Sequence, residues 1–507
     1  MLMLPSVCHA YWFSTEAIPF LLTGFVVSVT LAAIILCLPW RWMRWSLFTL
    51  LFVGLLFELA HMLVYDGDVS SAGYIRSLFM TTPYEAEGAL GRVIMQHIAF
   101  IVVVAVAYIL LSIQIFITHP VCRLSRWLLA GAVVLFVLQL CFAPSALINR
   151  PPLNTYVQMA EALHQRNERN RMLAQTPPFT YSAYRAQEKN EKEIYLLIID
   201  ESLRYDHVSF SKEDYRITMP RMGKLPNLVC FSNYYTTGVF TMYAIPMLIT
   251  RATPQTFSLN YTEYGVQQAF SEVGFKTIWL TNEAQLVSDG VSDYVANGAE
   301  IVKVKKDMDM SSALDSLCRT ADKLFVILHL WGNHQFYLNT DAATSRYYPD
   351  ITTTCDVHGE QMYSNSYDNA ILYTDSLLLA VTDVLRTQHC MAQWIFTSDH
   401  GEGPIGRNGG AHGYTRPTSG EYHVPLMIWY SDEYATAFPE KVANMCMHKD
   451  SPLCADHMFW SVLDMAQVEI DSTMQQTGMS FFSEPLIPYT RTLLLPDGKG
   501  IMLLDSL

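Results

Sequence analysis

Ile194-Tyr195-Leu196-Leu197-Ile198-Ile199-Asp200-Glu201-Ser202 is an unbroken apolar run that ends in two carboxylates and a hydroxyl. A short run of this kind, with β-branched residues, reads as a strand buried on both faces, as in a parallel sheet covered by helices. Two further runs share the pattern. Leu324 to Leu330 leads into Trp331-Gly332-Asn333-His334, and Trp394 to Phe396 leads into Thr397-Ser398-Asp399-His400-Gly401-Glu402. Ligands of parallel sheets collect where the strands end. Glu, Asp and His at several such ends therefore predict a metal centre, and zinc suits that mixture of oxygen and nitrogen donors. A lone carboxylate after a strand is ordinarily a helix cap, so the argument rests on the coincidence of three ends.

Outward from these runs, Lys276 to Leu280 and Val424 to Trp429 also read as strands, and Ser366 to Leu385 reads as a helix. Alternation of this sort predicts an α/β sandwich. Arg491 to Leu495 and Ile501 to Leu504, around Pro496-Asp497-Gly498, predict a terminal hairpin.

Hydrophobic residues make up 51% of the 507 and charged residues only 16%, too apolar a balance for an ordinary soluble enzyme. The excess lies before residue 147, in the runs Ala17 to Pro39, Ser46 to Tyr65, Val93 to Thr118 and Trp127 to Pro144. Each approaches the roughly 20 residues that cross a bilayer as a helix. Arg41 and Arg44 in the first loop, and Arg123 and Arg126 in the third, assign those loops to the cytoplasm. Everything after Pro144 is then extracytoplasmic. The N-terminus also falls outside, with no basic region of a cleavable signal; an upstream helix is missing, or Met1 to Phe13 lies along the membrane surface. Glu58 and His61 fall inside the second run, where ionisable groups are costly and often functional.

Residues 1–147 are accordingly expected to form a transmembrane domain of about four helices, 148–192 an interfacial helix and linker, and 193–507 a catalytic domain. Six of the ten cysteines fall in that last region, and Cys446 with Cys454, the nearest pair in sequence, is the expected disulfide. A net charge of -14 excludes a nucleic-acid partner, which needs a basic footprint.

The order Asp200-Glu201-Ser202-Leu203-Arg204-Tyr205-Asp206-His207, then Thr241-Met242-Tyr243-Ala244-Ile245-Pro246, then Thr397 to Glu402 resembles the membrane phosphoethanolamine transferases of the alkaline phosphatase and sulfatase superfamily. The resemblance implies a helical transmembrane domain followed by an α/β domain whose mixed, mostly parallel sheet is sandwiched by helices. It implies zinc ligands at Glu201, Thr241, Asp399 and His400, with Thr241 as the nucleophile, one zinc ion and the number of further ions left open. A threonine hydroxyl is a poor nucleophile at neutral pH, and coordination lowers its pKa as it does for bound water. His334 and His412 fit positions that hold phosphoryl oxygens and protonate the leaving alkoxide. His207, His358 and His423 match no such position and read as structural. Thr81-Thr82-Pro83-Tyr84-Glu85-Ala86 looks like the Thr-Asn-Pro-Ala-Glu-Ala stretch of these transferases, so Glu85 is a candidate for placing the ethanolamine ammonium or the catalytic domain.

Some positions depart from the family pattern. Thr237 and Met247 stand where cysteines commonly flank the nucleophile, and Asp289 stands where a lysine often follows a Trp-x-x-Asn stretch, here Trp279-Leu280-Thr281-Asn282. Asn282 retains a donor for substrate. The resemblance thus implies transfer of phosphoethanolamine from phosphatidylethanolamine to lipid A or lipopolysaccharide core through a phospho-threonine. The protein would be a monomeric, multi-pass member of a bacterial inner membrane, with its catalytic domain in the periplasm among membrane lipids. A phosphoglycerol transferase or phosphodiesterase with the same site is the alternative, and a scaffold with a dead site the third reading.

Overall fold

The computed structural model describes residues 2–7, 17–65, 75, 83–117, scattered positions between 127 and 141, 153–175, 178–186, 191–210, 216–282, 298–334, 337–351, 360–404, 412–413 and 417–507. The chain divides into two compact units, Met1–Phe79 with Glu87–Asn167, and Met80–Ala86 with Glu168–Leu507.

The first unit is helical. Helices span Ala17–Cys37, Arg41–Tyr65, Pro83–Ile117 and Leu153–Gln175. The first three cover three of the four apolar runs, and the third breaks its helical geometry at His97. Among the described residues two segments are long and apolar enough to cross a membrane, Arg41–Met62 and His97–Ile117, with Gly24–Cys37 a shorter apolar helix. The run Trp127 to Pro144 lies largely outside the described residues. Glu58 is fully buried, and its two oxygens accept from Asn154 Nδ2 at 3.1 Å and Thr155 Oγ1 at 3.0 Å, at the start of the Leu153–Gln175 helix. A carboxylate in an apolar span is tolerable when both oxygens are bonded in this way.

The second unit is built on a seven-stranded sheet. In chain order its short and long strands are β1 (Glu193–Asp200), β2 (Leu228–Phe231), β3 (Tyr234–Tyr235), β4 (Lys276–Asn282), β5 (Glu300–Val304), β6 (Lys323–His329), β7 (Met391–Ser398), β8 (Leu426–Tyr430), β9 (Leu453–Cys454), β10 (Thr492–Leu494) and β11 (Ile501–Leu503). The main sheet runs β2-β8-β7-β1-β6-β4-β5. Strands β7, β1, β6, β4 and β5 are mutually parallel, β8 is antiparallel to β7, and β2 is antiparallel to β8. The expected terminal hairpin is the antiparallel pair β10 and β11.

Strand β1 explains the arrangement. Tyr195, Leu197 and Ile199 enter one apolar core and Ile194, Leu196 and Ile198 enter another, so both faces are covered. Strand β6 divides in the same way, Phe325 and Ile327 against Leu324, Val326 and Leu328. The Glu360–Arg386 helix supplies Tyr367, Ile371, Leu378 and Val381 to the second of these layers.

At its start β1 carries a buried ion pair. Arg185 Nη1 and Nη2 donate to Glu193 Oε1 and Oε2 at 2.9 and 2.8 Å, and Tyr195 Oη donates to Oε2 at 3.0 Å. Both charged side chains are almost wholly buried. Arg185→Met strands the Glu193 carboxylate in a dry site and is expected to destabilise the second unit by about 3–5 kcal/mol, whereas Arg185→Met with Glu193→Leu should recover most of that loss. Denaturant unfolding followed by tryptophan fluorescence checks both. A double variant as unstable as the single one would show that the stranded charge is not the cause.

Cys446 and Cys454 do not form the expected disulfide; both are free thiols. Cys454 is buried at the end of β9, its Sγ 3.6 Å from His457 Nδ1, while Cys446 is exposed on the Pro439–His448 helix. Nearness in sequence did not pair them: one thiol is exposed on a helix and the other is buried in a strand.

Candidate metal centre and active site

Strands β1 and β7 lie side by side with Asp200 opposite Ser398, so the residues that follow, Glu201 and Asp399, leave the sheet together. Asp399 N–H donates to Asp200 O at 3.0 Å, Ser202 N–H to Asp399 Oδ1 at 3.2 Å and Leu203 N–H to Ser398 Oγ at 2.8 Å. These bonds hold Ser202 at φ 59°, a left-handed conformation that few non-glycine residues adopt. Tyr367 Oη donates to Ser202 O at 2.7 Å and secures the turn.

Glu201, Asp399 and His400 are buried, and each offers a ligand atom within 4.8 Å of the others. His400 Nε2 lies 3.2 Å from Glu201 Oε1 and 3.4 Å from Asp399 Oδ2. Thr241 Oγ1 donates to Glu201 Oε2 at 3.3 Å and stands 3.5 Å from His400 Nε2. His400 Nδ1 pairs with Gly401 O at 2.8 Å, an arrangement that leaves Nε2 to the cluster.

Two carboxylates in one dry pocket require a positive charge between them. Burial and the charge of Glu201 raise the pKa of Asp399, while His400 opposes them. For His400, burial favours the neutral ring, yet Asp399 and Glu201 outweigh it and raise the pKa. Burial likewise works against ionisation of Glu201, and His400 overcomes it. Among the described residues Asp399 Oδ2 accepts no hydrogen bond. Two carboxylates, an imidazole nitrogen and a hydroxyl around one point fit a tetrahedral divalent cation, so the residues present suit the metal that the resemblance implies.

Thr241 opens the Thr241–Ile249 helix, every residue of which is buried. Tyr243 and Ala244 N–H both turn back to Phe240 O, at 2.8 and 2.9 Å. The helix start places its positive end beside Oγ1, where a developing alkoxide or a phosphoryl group gains most. Thr237 and Met247, at the two positions where cysteines commonly stand, face each other with Oγ1 and Sδ 3.5 Å apart.

His412 joins the cluster. Its ring centroid is 4.0 Å from that of His400, and its Nδ1 lies 3.3 Å from Glu402 Oε1. Burial, and then the charge of His400, lower its pKa. Glu402 is fully buried; it was visible in the Asp399 to Glu402 motif, but only the fold shows it to be the carboxylate behind His412. His334 is buried, its ring stacked on Trp331 at 4.2 Å, and its charge helps to lower the pKa of Glu201. His329, at the last position of β6, escaped the sequence reading because it sits inside an apolar run. Burial holds its pKa down to about 4, near enough to Glu201 and His334 to feel both.

Other candidates fall elsewhere. Asn282 Nδ2 donates to Asp307 Oδ1 at 3.0 Å and to Lys305 O at 3.5 Å. Glu85 lies in the first turn of the Pro83–Ile117 helix, and its side chain is outside the described residues, as are Asp289 and His358. His207 pairs with Asp368 at 2.9 Å, and His423 is sandwiched between Tyr205 and Tyr235 at 4.1 and 4.4 Å.

Residues 193–468, which carry the whole cluster, match the family model described as Sulfatase. The chain belongs to the sulfatase family. Among its curated relatives is the phosphatidylethanolamine transferase Mcr-1 of Escherichia coli, 24% identical over 315 residues, which are 56% of this chain and 55% of that protein. This sulfatase-family chain spans about half the length of the curated relatives it matches, 43% for YhbX of Escherichia coli strain K12, which is 29% identical over 248 residues, or 47% of this chain. Its fold is that of the integral membrane lipooligosaccharide phosphoethanolamine transferase A (EptA) from Neisseria meningitidis, with a TM-score of 0.71 at 16% identity over 95% of each chain. The zinc complex of the periplasmic domain of EptC from Escherichia coli shares the fold of the second unit, with a TM-score of 0.56 at 20% identity, covering 66% of this chain and 97% of that one.

Proposed function

We propose that this chain transfers phosphoethanolamine from phosphatidylethanolamine to lipid A or lipopolysaccharide core, with Thr241 as the zinc-dependent nucleophile. The observation that carries the reading is the Thr241 hydroxyl at a buried helix start, 3.3 Å from Glu201 and 3.5 Å from His400. Glu201, Asp399, His400 and Thr241 would hold one zinc ion, and the zinc-bound EptC domain of the same fold supports that choice. When bound, the ion lowers the pKa of the hydroxyl and offsets the charge of the phosphoryl oxygens.

Thr241 Oγ1, whose proton would pass to solvent when the cation binds, attacks the phosphorus of the donor as an alkoxide and is released as one when the cycle closes. The bond from phosphorus to the diacylglycerol oxygen breaks, and a protonated histidine, His334 or His412, delivers a proton to that oxygen. The helix start and the two histidines hold the phosphoryl oxygens meanwhile. Phosphoethanolamine remains esterified to Thr241. An acceptor oxygen then attacks the same phosphorus, its proton passes to the now neutral histidine, and Thr241 is released. Glu402 keeps the Nδ1 of His412 engaged, which leaves Nε2 for this traffic.

Glu85 takes the ethanolamine ammonium in this reading. Residues 1–147 form the multi-pass membrane domain, 148–192 the interfacial helix and linker, and 193–507 the periplasmic catalytic domain of a monomeric inner-membrane protein. The two apolar helices and the arginines of the flanking loops support that placement. Both substrates are lipids, which gives a membrane-tethered catalyst short access to them.

Mass spectrometry of the full chain after incubation with phosphatidylethanolamine vesicles and zinc tests the reading. A phosphoethanolamine mass on the peptide containing Thr241, with diacylglycerol released, is the expected result. A phosphoglycerol adduct formed only from phosphatidylglycerol would transfer the site to the alternative donor. Release of free phosphoethanolamine with no adduct at any time would make the protein a phosphodiesterase.

A further inference from the structure

Asp307 is a fully buried carboxylate between β5 and the Asp309–Cys318 helix, apart from the proposed ligands, and four donors converge on it. Trp331 N–H and Asn282 Nδ2 donate to Oδ1 at 3.1 and 3.0 Å, and Gly332 N–H and Asn339 Nδ2 donate to Oδ2 at 3.0 and 2.8 Å. Burial raises its pKa, and these four bonds only partly oppose that; what the geometry shows is two donors on each carboxylate oxygen.

The residues so held are the first half of the turn that carries His334. Gly332 has φ 51°, and a Cβ there would meet Asp200 Oδ1 at 1.8 Å, so the turn is pressed against the end of β1. Asn333 N–H donates to Glu201 O at 3.0 Å and His334 N–H to Trp331 O at 3.1 Å. The ring of His334 rests on that of Trp331. Trp331 is therefore gripped on its backbone by Asp307 and supports His334 with its side chain. The end of β4 is tied to the same anchor through Asn282.

We propose that Asp307 is a positioning residue for His334: it clamps the ends of β4 and β6 so that the imidazole stands at the phosphoryl group during transfer. This rests on the reading that His334 handles the phosphoryl group. Asp307→Asn is close in shape but replaces one accepting oxygen with an NH2 that faces an N–H donor, so the two must move apart. Displacement of a catalytic group by about 1 Å can lower a rate by about 10²-fold.

The test is diacylglycerol release by the full-length protein from phosphatidylethanolamine vesicles, for wild type, Asp307→Asn, His334→Ala and the double variant, with bound zinc measured in each. Asp307→Asn is expected to lower kcat about 10²-fold with KM within about threefold, and to cost less than about threefold more in the His334→Ala background. Zinc content should not change. A full, additive loss on top of His334→Ala would overturn the proposal, as would wild-type kcat in Asp307→Asn. If His334→Ala alone keeps wild-type activity, the role of His334 fails and Asp307 has nothing to position, a result separable from the adduct on Thr241. Should Asp307→Asn not fold, Asn339→Ala removes one of the four donors; a loss of about three- to tenfold in kcat that vanishes in His334→Ala supports the clamp, and an additive loss overturns it.

Discussion

Thr241→Ala is expected to lower transfer by about 10⁴-fold or more, because it removes the atom on which the phosphoryl group would be carried. Thr241→Ser is expected to retain activity within about tenfold. The hydroxyl survives in that variant, and what is lost is the second substituent on Cβ, which restricts χ1 and keeps Oγ1 beside Glu201 and His400. The two substitutions together separate a chemical role from a packing one. The Thr241–Ile249 helix is buried throughout, so a merely structural threonine would make serine and alanine similarly harmful. Measurement of diacylglycerol release by both variants decides it, and an alanine variant within tenfold of wild type would sink the proposed nucleophile.

Removal of the metal is expected to abolish transfer and to lower the thermal midpoint. Glu201, Asp399 and His400 are buried with their ligand atoms mutually within 4.8 Å, so without a cation the two carboxylates share only what a proton on His400 provides. A ligand bound only by the native state adds about 4 kcal/mol when present at a thousand times its Kd, and chelation withdraws that contribution. Glu201→Gln keeps the shape but deletes one anionic ligand. A loss of several kcal/mol of transition-state stabilisation corresponds to about 10³-fold in rate. The variant should therefore bind zinc more weakly and transfer about 10³-fold more slowly, with partial recovery at high zinc. Chelated protein that is free of zinc by elemental analysis and still transfers at the wild-type rate would remove the metal from the proposal.

Which features could be seen before folding depends on how local their cause is. Ile194 to Ile199 announced a strand buried on both faces because every position is apolar, and its residues do divide alternately between two cores. Residue chemistry at the strand ends was equally local: Glu201, Asp399 and His400 were recognisable as ligand types, and parallel β1 and β7 bring them together. The apolar helices near the N-terminus were legible from composition alone.

Partnership was not legible, since it depends on strand order and on groups far apart in the chain. Nothing around Asp307 marks it as the acceptor for Asn282, Trp331, Gly332 and Asn339, and Asn282 read as a substrate donor until β4 was seen two places from β1 with its amide turned to Asp307. His329 was concealed by the apolarity of its own strand, and Glu58, in a span, proved to be bonded by Asn154 and Thr155 from a distant helix. Cys446 and Cys454, close in sequence, stayed apart as free thiols. The sequence by itself determined which segments must be buried and which chemical groups stand at their ends, because apolar periodicity and ligand type are properties of neighbouring residues. Only the tertiary structure decided which donor meets which acceptor, because the β7-β1-β6-β4 order, set by packing across both faces of the sheet, is what makes residues distant in the chain neighbours in space.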